Sequence, residues 1–253
     1  MDNYRNFALS LVSKAGSLMR QNFKIGMSKQ WKEDNTPLTE TDLAINELVV
    51  AGVHKHFPGH GILAEEGSDF HGEEYIWVCD PVDGTNPFSH GYPIFLFSLA
   101  LVRHGRPILG ILYDPILDRL VVAESGKGAY LNDCNKLQVN EAPEFIRSIV
   151  ALEADKSELR GELIRNKRCL VTTFACISYS SLLVALGQFR AALWFGKTPW
   201  DGAAVQIVIE ESGGICTDIN GARQRYDGPI NGIVASNKTI HPILIEMIKQ
   251  EFL

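Results

Sequence analysis

The stretch Asp80-Pro81-Val82-Asp83-Gly84-Thr85 directly follows a short apolar run, residues 75–79, that predicts a β-strand. Residues three apart on a strand point to opposite faces, so Asp80 and Asp83 would diverge if a regular strand continued. Pro81 has no N–H group to donate to a strand ladder and favours a turn. We therefore expect the strand to end here and the two carboxylates to converge.

The residues after Asp83 have the pattern of a phosphate-binding turn. Gly84 permits an unusual backbone angle or a close approach by a ligand. Thr85 begins a short helical segment, and the unpaired N–H groups and the dipole at such a start favour an anion. Asp-Pro and Asp-Gly are also ordinary turn pairs, so the stretch taken alone is equally consistent with a structural turn.

Further acidic residues lie where other predicted elements begin or end. Glu65 and Glu66 follow the apolar residues 61–64, and Asp201 lies three residues after Thr198. Hard cations such as Mg²⁺ prefer carboxylate oxygens, and two ions about 3.5–4 Å apart can activate water for phosphate hydrolysis. Three or four of these acids could hold such ions. The spacing of Thr198 and Asp201 also fits a helix cap, which is the alternative role of Asp201.

The N-terminal part of the chain predicts two helices. Apolar residues at helical spacing predict the first over residues 4–23. The second is expected from Thr39 to about His56, and Thr39 and Asp42 have the spacing of a capping box. The polar residues 29–42 before it predict a hairpin or a mobile loop.

The remaining elements predict a layered α/β fold. Short β-branched and apolar runs over residues 95–132, separated by Gly, Pro or Asp, predict an antiparallel meander. Strands and helices alternate after that. We expect α/β (α+β) layers with large mixed sheets in a single domain, residues 1–253. Its N-terminal part, roughly 1–145, carries most of the acidic residues described above, and its C-terminal part is roughly 146–253.

Composition excludes several classes of partner. The 253 residues carry a net charge of -6, whereas general nucleic-acid or membrane-surface binders are more often basic. No run approaches the roughly 20 apolar residues of a membrane helix, and the N-terminus lacks the apolar region of a signal peptide. The five cysteines include no Cys-x-x-Cys pair, which fits a reducing compartment. We expect a cytoplasmic protein that binds neither nucleic acid nor membrane.

Four short segments follow one another along the chain: Lys32 to Asp42, Gly61 to Glu66, Asp80 to Thr85, and Trp200-Asp201-Gly202-Ala203-Ala204 followed by residues 211–214. Together they resemble the motifs of the inositol monophosphatase superfamily, metal-dependent phosphatases of small molecules. The resemblance implies an αβαβα five-layer sandwich that is commonly a homodimer, two or three Mg²⁺ ions as cofactors, and a small phosphate ester as substrate.

The resemblance assigns the metal ligands residue by residue. Glu65, Asp80 and the Val82 carbonyl would hold the first ion. Asp80, Asp83 and Asp201 would hold the second, so the motif context favours a metal role over a helix cap for Asp201. Asp83 is thereby expected to take part in catalysis.

The resemblance also assigns roles around the phosphate. Glu65 and Thr85 would orient or activate the attacking water, and the amides of Gly84 and Thr85 would bind phosphate. Asp42 would brace Thr85, and Glu66 would support a further metal-bound water. Lys32, in the first of the four segments, could steer phosphate or be plain loop charge.

Departures from the family pattern concern the alcohol part of the substrate. Asn86-Pro87 replaces the usual Thr-Asn after Thr85, and Trp194 stands seven residues before Asp201, where inositol monophosphatases carry a Glu that contacts inositol hydroxyls. The stretch His90-Gly91-Tyr92-Pro93 is similar to the histidinol-phosphatase branch, although His90 could equally serve the turn. The expected substrate and phosphate contacts are Gly84, Thr85, Asn86, Trp194 and Asp201.

Several functions therefore stay open within the resemblance. Inositol monophosphate or a related sugar or polyol phosphate is the first candidate substrate, and histidinol phosphate is the second. A 3'-nucleotide or fructose bisphosphate is the third. A phosphate- or metal-binding regulatory protein without turnover is the alternative from another class, and an RNA-associated factor would rest on fold analogy alone.

Overall fold

A computed structural model describes residues 1–69, 73–153 and 156–251. Seven helices and fourteen strands lie in these ranges, together with one 3₁₀ turn at Pro199–Asp201. The helices are α1 (Asp2–Asn22), α2 (Glu40–His56), α3 (Thr85–Ser89), α4 (Ser157–Arg165), α5 (Ile177–Ala185), α6 (Ala203–Glu211) and α7 (His241–Glu251). The strands are β1 (Gln30–Trp31), β2 (Pro37–Leu38), β3 (Gly61–Ala64), β4 (Tyr75–Asp83), β5 (Leu96–Arg103), β6 (Arg106–Asp114), β7 (Arg119–Glu124), β8 (Gly128–Leu131), β9 (Asn135–Lys136), β10 (Ile149–Leu152), β11 (Leu170–Thr172), β12 (Ala191–Trp194), β13 (Ile215–Thr217) and β14 (Ile233–Ser236).

Two mixed sheets form the frame of the fold. The larger has the order β3-β4-β5-β6-β7-β8-β9, and its only parallel pair among the described strands is β3 with β4. The smaller has the order β11-β10-β12-β14-β13, with β10 parallel to both of its neighbours. The predicted antiparallel meander over residues 95–132 is confirmed as β5 to β8.

Three helical layers enclose the two sheets. Strand β4 shows why, because its alternate side chains belong to different cores. Trp77 and Cys79 pack with α1 and α2 in one apolar cluster, whereas Ile76 and Val78 pack with α5 and α6 in another. A third cluster joins the far face of the smaller sheet to α4 and α7. The layers therefore run α-β-α-β-α, and the predicted five-layer sandwich is confirmed.

The two helices predicted in the N-terminal part are present as α1 and α2. The capping box forms as expected: the Thr39 hydroxyl accepts from the Thr41 N–H at 3.2 Å, and the Asp42 carboxylate accepts from the Thr39 N–H at 2.9 Å. The polar segment before it is a hairpin, since β1 and β2 pair antiparallel with Trp31 opposite Pro37. None of the described helices meets the length and apolarity needed to cross a bilayer.

The prediction that the strand before Asp80 ends in a turn was wrong. Strand β4 continues through Pro81 to Asp83, and the pairing with β5 shifts between Asp80, which is opposite Ser98, and Asp83, which is opposite Leu96. Three steps along β4 thus match two along β5, which is the pattern of a β-bulge. The extra residue turns the two carboxylates toward the same side of the sheet, a result that we had assigned to a turn at Pro81.

His241, the first residue of α7, makes the stability of the fold depend on pH. Its ring is buried, with nitrogens 2.9 Å from Thr217 Oγ1 and from Ser236 Oγ, and burial lowers its pKa from 6.5 to about 4. Between these two pH values the unfolded chain binds more protons than the folded chain. Stability therefore decreases as the pH falls through this window.

We expect His241 to make the free energy of unfolding about 2 kcal/mol smaller at pH 5 than at pH 7. Urea unfolding of the wild-type protein and of His241→Gln at both pH values measures this term. The variant should lose correspondingly less stability on acidification, because Gln does not titrate. Equal losses in the two proteins would contradict the prediction.

Candidate active site

The bulge at the end of β4 places its acids beside an acid from the C-terminal half of the chain. One carboxylate oxygen from each of Asp80, Asp83 and Asp201 lies within 4.8 Å of the others. Asp80 and Asp83 are buried, and Asp201 is partly buried at the end of the 3₁₀ turn before α6. The Asp80 side chain also accepts from the Val82 N–H at 3.0 Å, a bond that holds the bulge.

Crowding and burial disfavour the charged form of these carboxylates. Burial and then the charge of Glu65 raise the pKa of Asp80 well above its usual value, and burial and then Asp83 do the same for Asp201. The pKa of Asp83 rises to about 6, again mainly through burial. Three oxygen ligands held together against their repulsion are a donor set suited to a hard divalent cation. The residues present therefore fit Mg²⁺.

The helix-cap alternative for Asp201 is not what the structure shows. The Thr198 hydroxyl makes no capping bond to the backbone and instead donates to the Asp201 carboxylate. This bond orients Asp201 toward the acids of β4. Asp201 thus joins the cluster, as the motif context indicated.

Thr85 and Asp42 form the second part of the site. The Thr85 hydroxyl lies 2.9 Å from Asp42 Oδ1 and 2.9 Å from the Val82 carbonyl. Asp42 is buried beneath Thr85, and burial raises its pKa. Asp42 therefore has both of the roles considered for it, since the same carboxylate caps α2 and contacts Thr85.

Gly84 sets the direction in which the chain leaves the bulge. Its φ of +91° is in the left-handed region, and it immediately precedes α3. An L side chain in this conformation is strained, which is the reason for a glycine between Asp83 and Thr85. The two residues that the sequence assigns to phosphate binding, Gly84 and Thr85, thereby lie next to the carboxylate cluster.

Glu65 and Glu66 are arranged around a lysine. Lys32, on the β1–β2 hairpin, donates from Nζ to Glu65 Oε1 at 2.7 Å and to Glu66 Oε1 at 2.5 Å. Burial lowers the pKa of Lys32, but the bonds and charges of the two glutamates outweigh that effect and raise it overall. Burial raises the pKa of Glu66. The ammonium group thus pairs with Glu65, a carboxylate that sequence analysis assigned to a metal ion.

We expect Lys32 to compete with a cation for Glu65. In Lys32→Met the dissociation constant for Mg²⁺, measured by titration calorimetry without substrate, should decrease by about fivefold or more, because the competing positive charge is removed. Lys29→Met is the matched control on the same hairpin, since Lys29 contacts His90 and not the glutamates. Equal Mg²⁺ affinity in Lys32→Met and the wild-type protein would refute competition.

A cavity of about 530 Å³ opens over the cluster. Nine of the residues singled out from the sequence line it: Glu65, Asp80, Val82, Asp83, Gly84, Thr85, Asn86, Trp194 and Asp201. Asp42 contacts one of them, Thr85, and Glu66 contributes through Lys32, which is itself part of the lining. The cavity therefore unites the acidic cluster, the phosphate-binding turn and Trp194.

Sequence analysis assigned no individual role to several residues of the cavity wall. The hairpin turn contributes Asp34, Asn35 and Thr36, and the far side contributes Ala175 and Trp200. The first motif segment, which includes the hairpin turn, was a signal for these residues, but it gave no role to any one of them. Strand spacing offers no equivalent signal for Ala175, which is distant in sequence from the acids.

His90 is placed for a turn role. Lys29 Nζ lies 2.7 Å from His90 Nε2, and His90 Nδ1 lies 2.8 Å from the carbonyl oxygen of Asn86. A lysine ammonium can only donate, so Nε2 accepts and Nδ1–H donates to the carbonyl. His90 thereby ties α3 to the hairpin.

The layered fold and the carboxylate cluster define a metal-dependent phosphatase class, and comparison with known proteins agrees. Residues 1–252 match the model of the inositol monophosphatase family. A histidinol-phosphatase of Chlorobaculum parvum is 34% identical over 95% of this chain and 95% of its own length. A fructose-1,6-bisphosphatase/inositol-1-monophosphatase of Thermotoga maritima is 28% identical over 97% of this chain and 95% of its own. A solved IMPase structure from Thermotoga maritima superposes with a TM-score of 0.88 at 27% identity, covering 100% of this chain and 98% of that one.

The chain belongs to the inositol monophosphatase family and is a hydrolase of phosphate monoesters. The resemblance inferred from the four motif segments is confirmed.

Proposed function

We propose that this protein hydrolyses a small phosphate monoester with two or three Mg²⁺ ions, and that the substrate is an inositol monophosphate or a related sugar or polyol phosphate. The observation that carries the proposal is the convergence of Asp80, Asp83 and Asp201 within 4.8 Å at the floor of one cavity. Bound Mg²⁺ would supply positive charge at the phosphate and lower the pKa of the attacking water.

The ligand roles follow from this placement. Asp80, Asp83 and Asp201 would bind one ion between them. Glu65 and the Val82 carbonyl would complete a second position with Asp80, once Lys32 has left Glu65. All of these groups except Val82 are acids, so the site attracts cations before it attracts a phosphate.

The residues around the phosphate would act by orientation. Thr85 donates its hydroxyl hydrogen to Asp42, which leaves its oxygen lone pairs free to accept a hydrogen bond from water. Glu65 would be the second group that orients or activates this water, and Glu66 would hold a further water. The amides of Gly84 and Thr85 would bind the phosphate oxygens. Water attacks directly, so no covalent intermediate forms on the protein.

One part of the cavity favours a second candidate, histidinol phosphate. Trp194 and Trp200 line the cavity, and aromatic faces attract cationic groups. Asp34 also lines the cavity, and hydrogen bonds from Thr36 lower its pKa, which keeps it anionic. An amine-bearing alcohol would suit this combination. The histidinol-phosphatase of Chlorobaculum parvum, at 34% identity, supports the same candidate.

A phosphate-release panel tests the proposal. Inositol-1-phosphate, histidinol phosphate, glucose-6-phosphate, fructose-1,6-bisphosphate and adenosine 3',5'-bisphosphate are each incubated with the protein and Mg²⁺, and again with excess EDTA. We expect release from at least one monoester that EDTA abolishes, and the largest kcat/KM selects between the two candidates. Mg²⁺ and phosphate binding without release from any substrate would favour the regulatory alternative instead.

We also infer that residues 1–253 act as one domain, that the protein is a cytoplasmic homodimer, and that it binds neither nucleic acid nor membrane. The family model spans residues 1–252, which supports a single unit. All five cysteines are free, which supports a reducing compartment. The family resemblance supports the dimer, and sedimentation equilibrium tests it.

A further inference from the structure

A buried glutamate outside the carboxylate cluster holds one wall of the cavity. Glu153 directly follows β10, and the backbone N–H groups of Phe174 and Ala175 lie near its carboxylate and favour its charged form. Ser180, on α5, donates from Oγ to Glu153 Oε1 at 2.9 Å. Burial raises the pKa of Glu153, although the Ser180 hydroxyl and the two backbone N–H groups oppose that effect. One hydroxyl hydrogen bond and two nearby N–H groups, all within residues 174–180, therefore stabilise a single carboxylate.

Ala175 is strained at the point where Glu153 holds it. Its φ is +52°, in the left-handed region that L residues other than Asn, Asp and His rarely adopt. Ala175 also lines the cavity. A non-glycine residue keeps such a conformation only where its surroundings enforce it. The attraction between its own N–H and the Glu153 carboxylate, which the Ser180 hydroxyl bonds at 2.9 Å, is what enforces it.

The same segment reaches the carboxylate cluster at its other end. The Ser178 N–H donates to Asp83 Oδ2 at 2.7 Å, and the Cys176 thiol donates to the Asp83 carbonyl at 3.3 Å. Cys176 and Ser178 are buried. Residues 174–178 thus connect Glu153 to Asp83 without a break. A change in the backbone at Ala175 is transmitted to the side chain of Asp83.

We propose that Glu153 is a positioning residue for the hydrolysis: it holds Ala175 in the left-handed conformation, and so sets both the cavity wall and the N–H group that orients Asp83. The inference rests on the proposed function of the cluster. It assigns Glu153 no contact with substrate or metal. Its effect on the reaction passes through Ala175 and Ser178.

The alternative is that Glu153 only stabilises the fold, and Asn237 is a residue of this chain with such a role. Asn237 accepts from the N–H groups of Thr239 and Ile240 just before α7, and Glu153 likewise lies near two N–H groups just before α5. Strand β14, which ends beside Asn237, runs antiparallel to β12, whereas β10 is parallel to β12. Asn237 therefore lies at the opposite end of the sheet from Glu153. Asn237→Leu is the matched control.

The test compares Glu153→Leu with Glu153→Gln. Leu removes every acceptor, and we expect kcat to fall about 10²-fold, as for a misplacement of about 1 Å at the reacting groups. Gln keeps one oxygen for the two N–H groups and should retain kcat within a few-fold. Asn237→Leu should lose stability without a change in kcat. A loss of kcat in Asn237→Leu equal to that in Glu153→Leu would show that only general stability matters.

A rescue by glycine distinguishes positioning from other effects of Glu153. Glycine adopts positive φ freely. The double variant Glu153→Leu/Ala175→Gly should therefore have a kcat at least tenfold higher than that of Glu153→Leu alone. No recovery would overturn the inference, because the conformation of Ala175 would not be what Glu153 maintains.

Amide hydrogen exchange gives a readout independent of turnover. Residues 174–178 should exchange faster in Glu153→Leu than in the wild-type protein, and unchanged exchange would overturn the inference. If no panel substrate releases phosphate, the proposed function fails and exchange alone still decides the role of Glu153. Should Glu153→Leu not fold, Ser180→Ala removes the hydroxyl bond to Glu153. A few-fold lower kcat and faster exchange are then expected, and wild-type values of both would overturn the inference.

Discussion

Replacing Asp83 by Asn is expected to reduce Mg²⁺-dependent phosphate release by roughly 10²–10³-fold, the loss typical of removing one group that stabilises the transition state electrostatically. The substitution preserves shape, because the Asn side-chain oxygen can still accept from the Ser178 N–H. It removes the negative charge that Asp83 contributes to the cluster with Asp80 and Asp201. Cation affinity and the geometry of the second ion would be lost together.

The same substitution is expected to stabilise the metal-free fold. Burial raises the pKa of Asp83 from 3.8 to about 6, so the folded chain binds more protons than the unfolded chain between these values. Stability therefore decreases as the pH rises through that window, and at pH 7 the charged carboxylate is unfavourable by about 3 kcal/mol. Asn removes this term.

Both effects are measured on the same samples. Urea unfolding in EDTA should show a higher free energy of unfolding for Asp83→Asn than for the wild-type protein at pH 7. At pH 4 the difference between the two proteins should be smaller. Asp114→Asn is the control, because Asp114 is also fully buried but is paired with Arg119 at 2.7 Å. That variant should lose stability and keep its activity. Wild-type rates in Asp83→Asn would refute the metal assignment.

Gly84→Ala is expected to lower the free energy of unfolding by about 2–4 kcal/mol and kcat by more than about 10²-fold. The added Cβ would lie 2.8 Å from the backbone oxygen of Ile94 and 3.0 Å from Cys176 Cβ. A backbone oxygen cannot rotate away, so the chain at Gly84 has to move. Thr85, which contacts Asp42, moves with it.

Gly126→Ala is the matched control for this prediction. Gly126 also has a positive φ, +75°, but a Cβ there would meet no atom within 4 Å. Gly126→Ala should therefore lower the free energy of unfolding by only about 1 kcal/mol, the cost of backbone strain, and leave the activity unchanged. Urea unfolding and phosphate release measure both variants. Equal losses in the two would mean that the contacts of Gly84 have no part in the effect.

Local patterns were sufficient for most of the fold. The spacing of apolar residues predicted α1, because side-chain periodicity reports which face of a helix is buried. The capping-box residues predicted the start of α2, and apolar and β-branched runs separated by turn residues predicted the meander of β5 to β8. The capping box at Thr39 could be predicted because Thr39 and Asp42 interact within one helical turn. The start of α6 was less well predicted. The spacing of Thr198 and Asp201 suggested a helix beginning there, but Pro199–Asp201 forms a separate 3₁₀ turn and α6 begins at Ala203.

The site could be predicted only in part. The motif segments named the acids, and the structure brings Asp80, Asp83 and Asp201 together. Lys32 between Glu65 and Glu66 was not predicted, because no spacing rule connects a hairpin to a strand end 33 residues away. Which group lies nearest to Glu65 depends on how the hairpin folds over the sheet.

The sequence by itself determined the order of the elements, the burial of each strand and the identity of the acidic residues, because these depend on side chains that are neighbours along the chain. Only the tertiary structure decided how the end of β4 brings the side chains of Asp80 and Asp83 together. We expected a turn at Pro81, and instead a bulge against β5 turns Asp80 and Asp83 to one side. Their alignment also depends on Asp201 and on the Glu153 segment, both of which reach the cluster through packing of the two sheets. Contacts between residues so far apart in sequence are set by that packing, and local spacing carries no information about it.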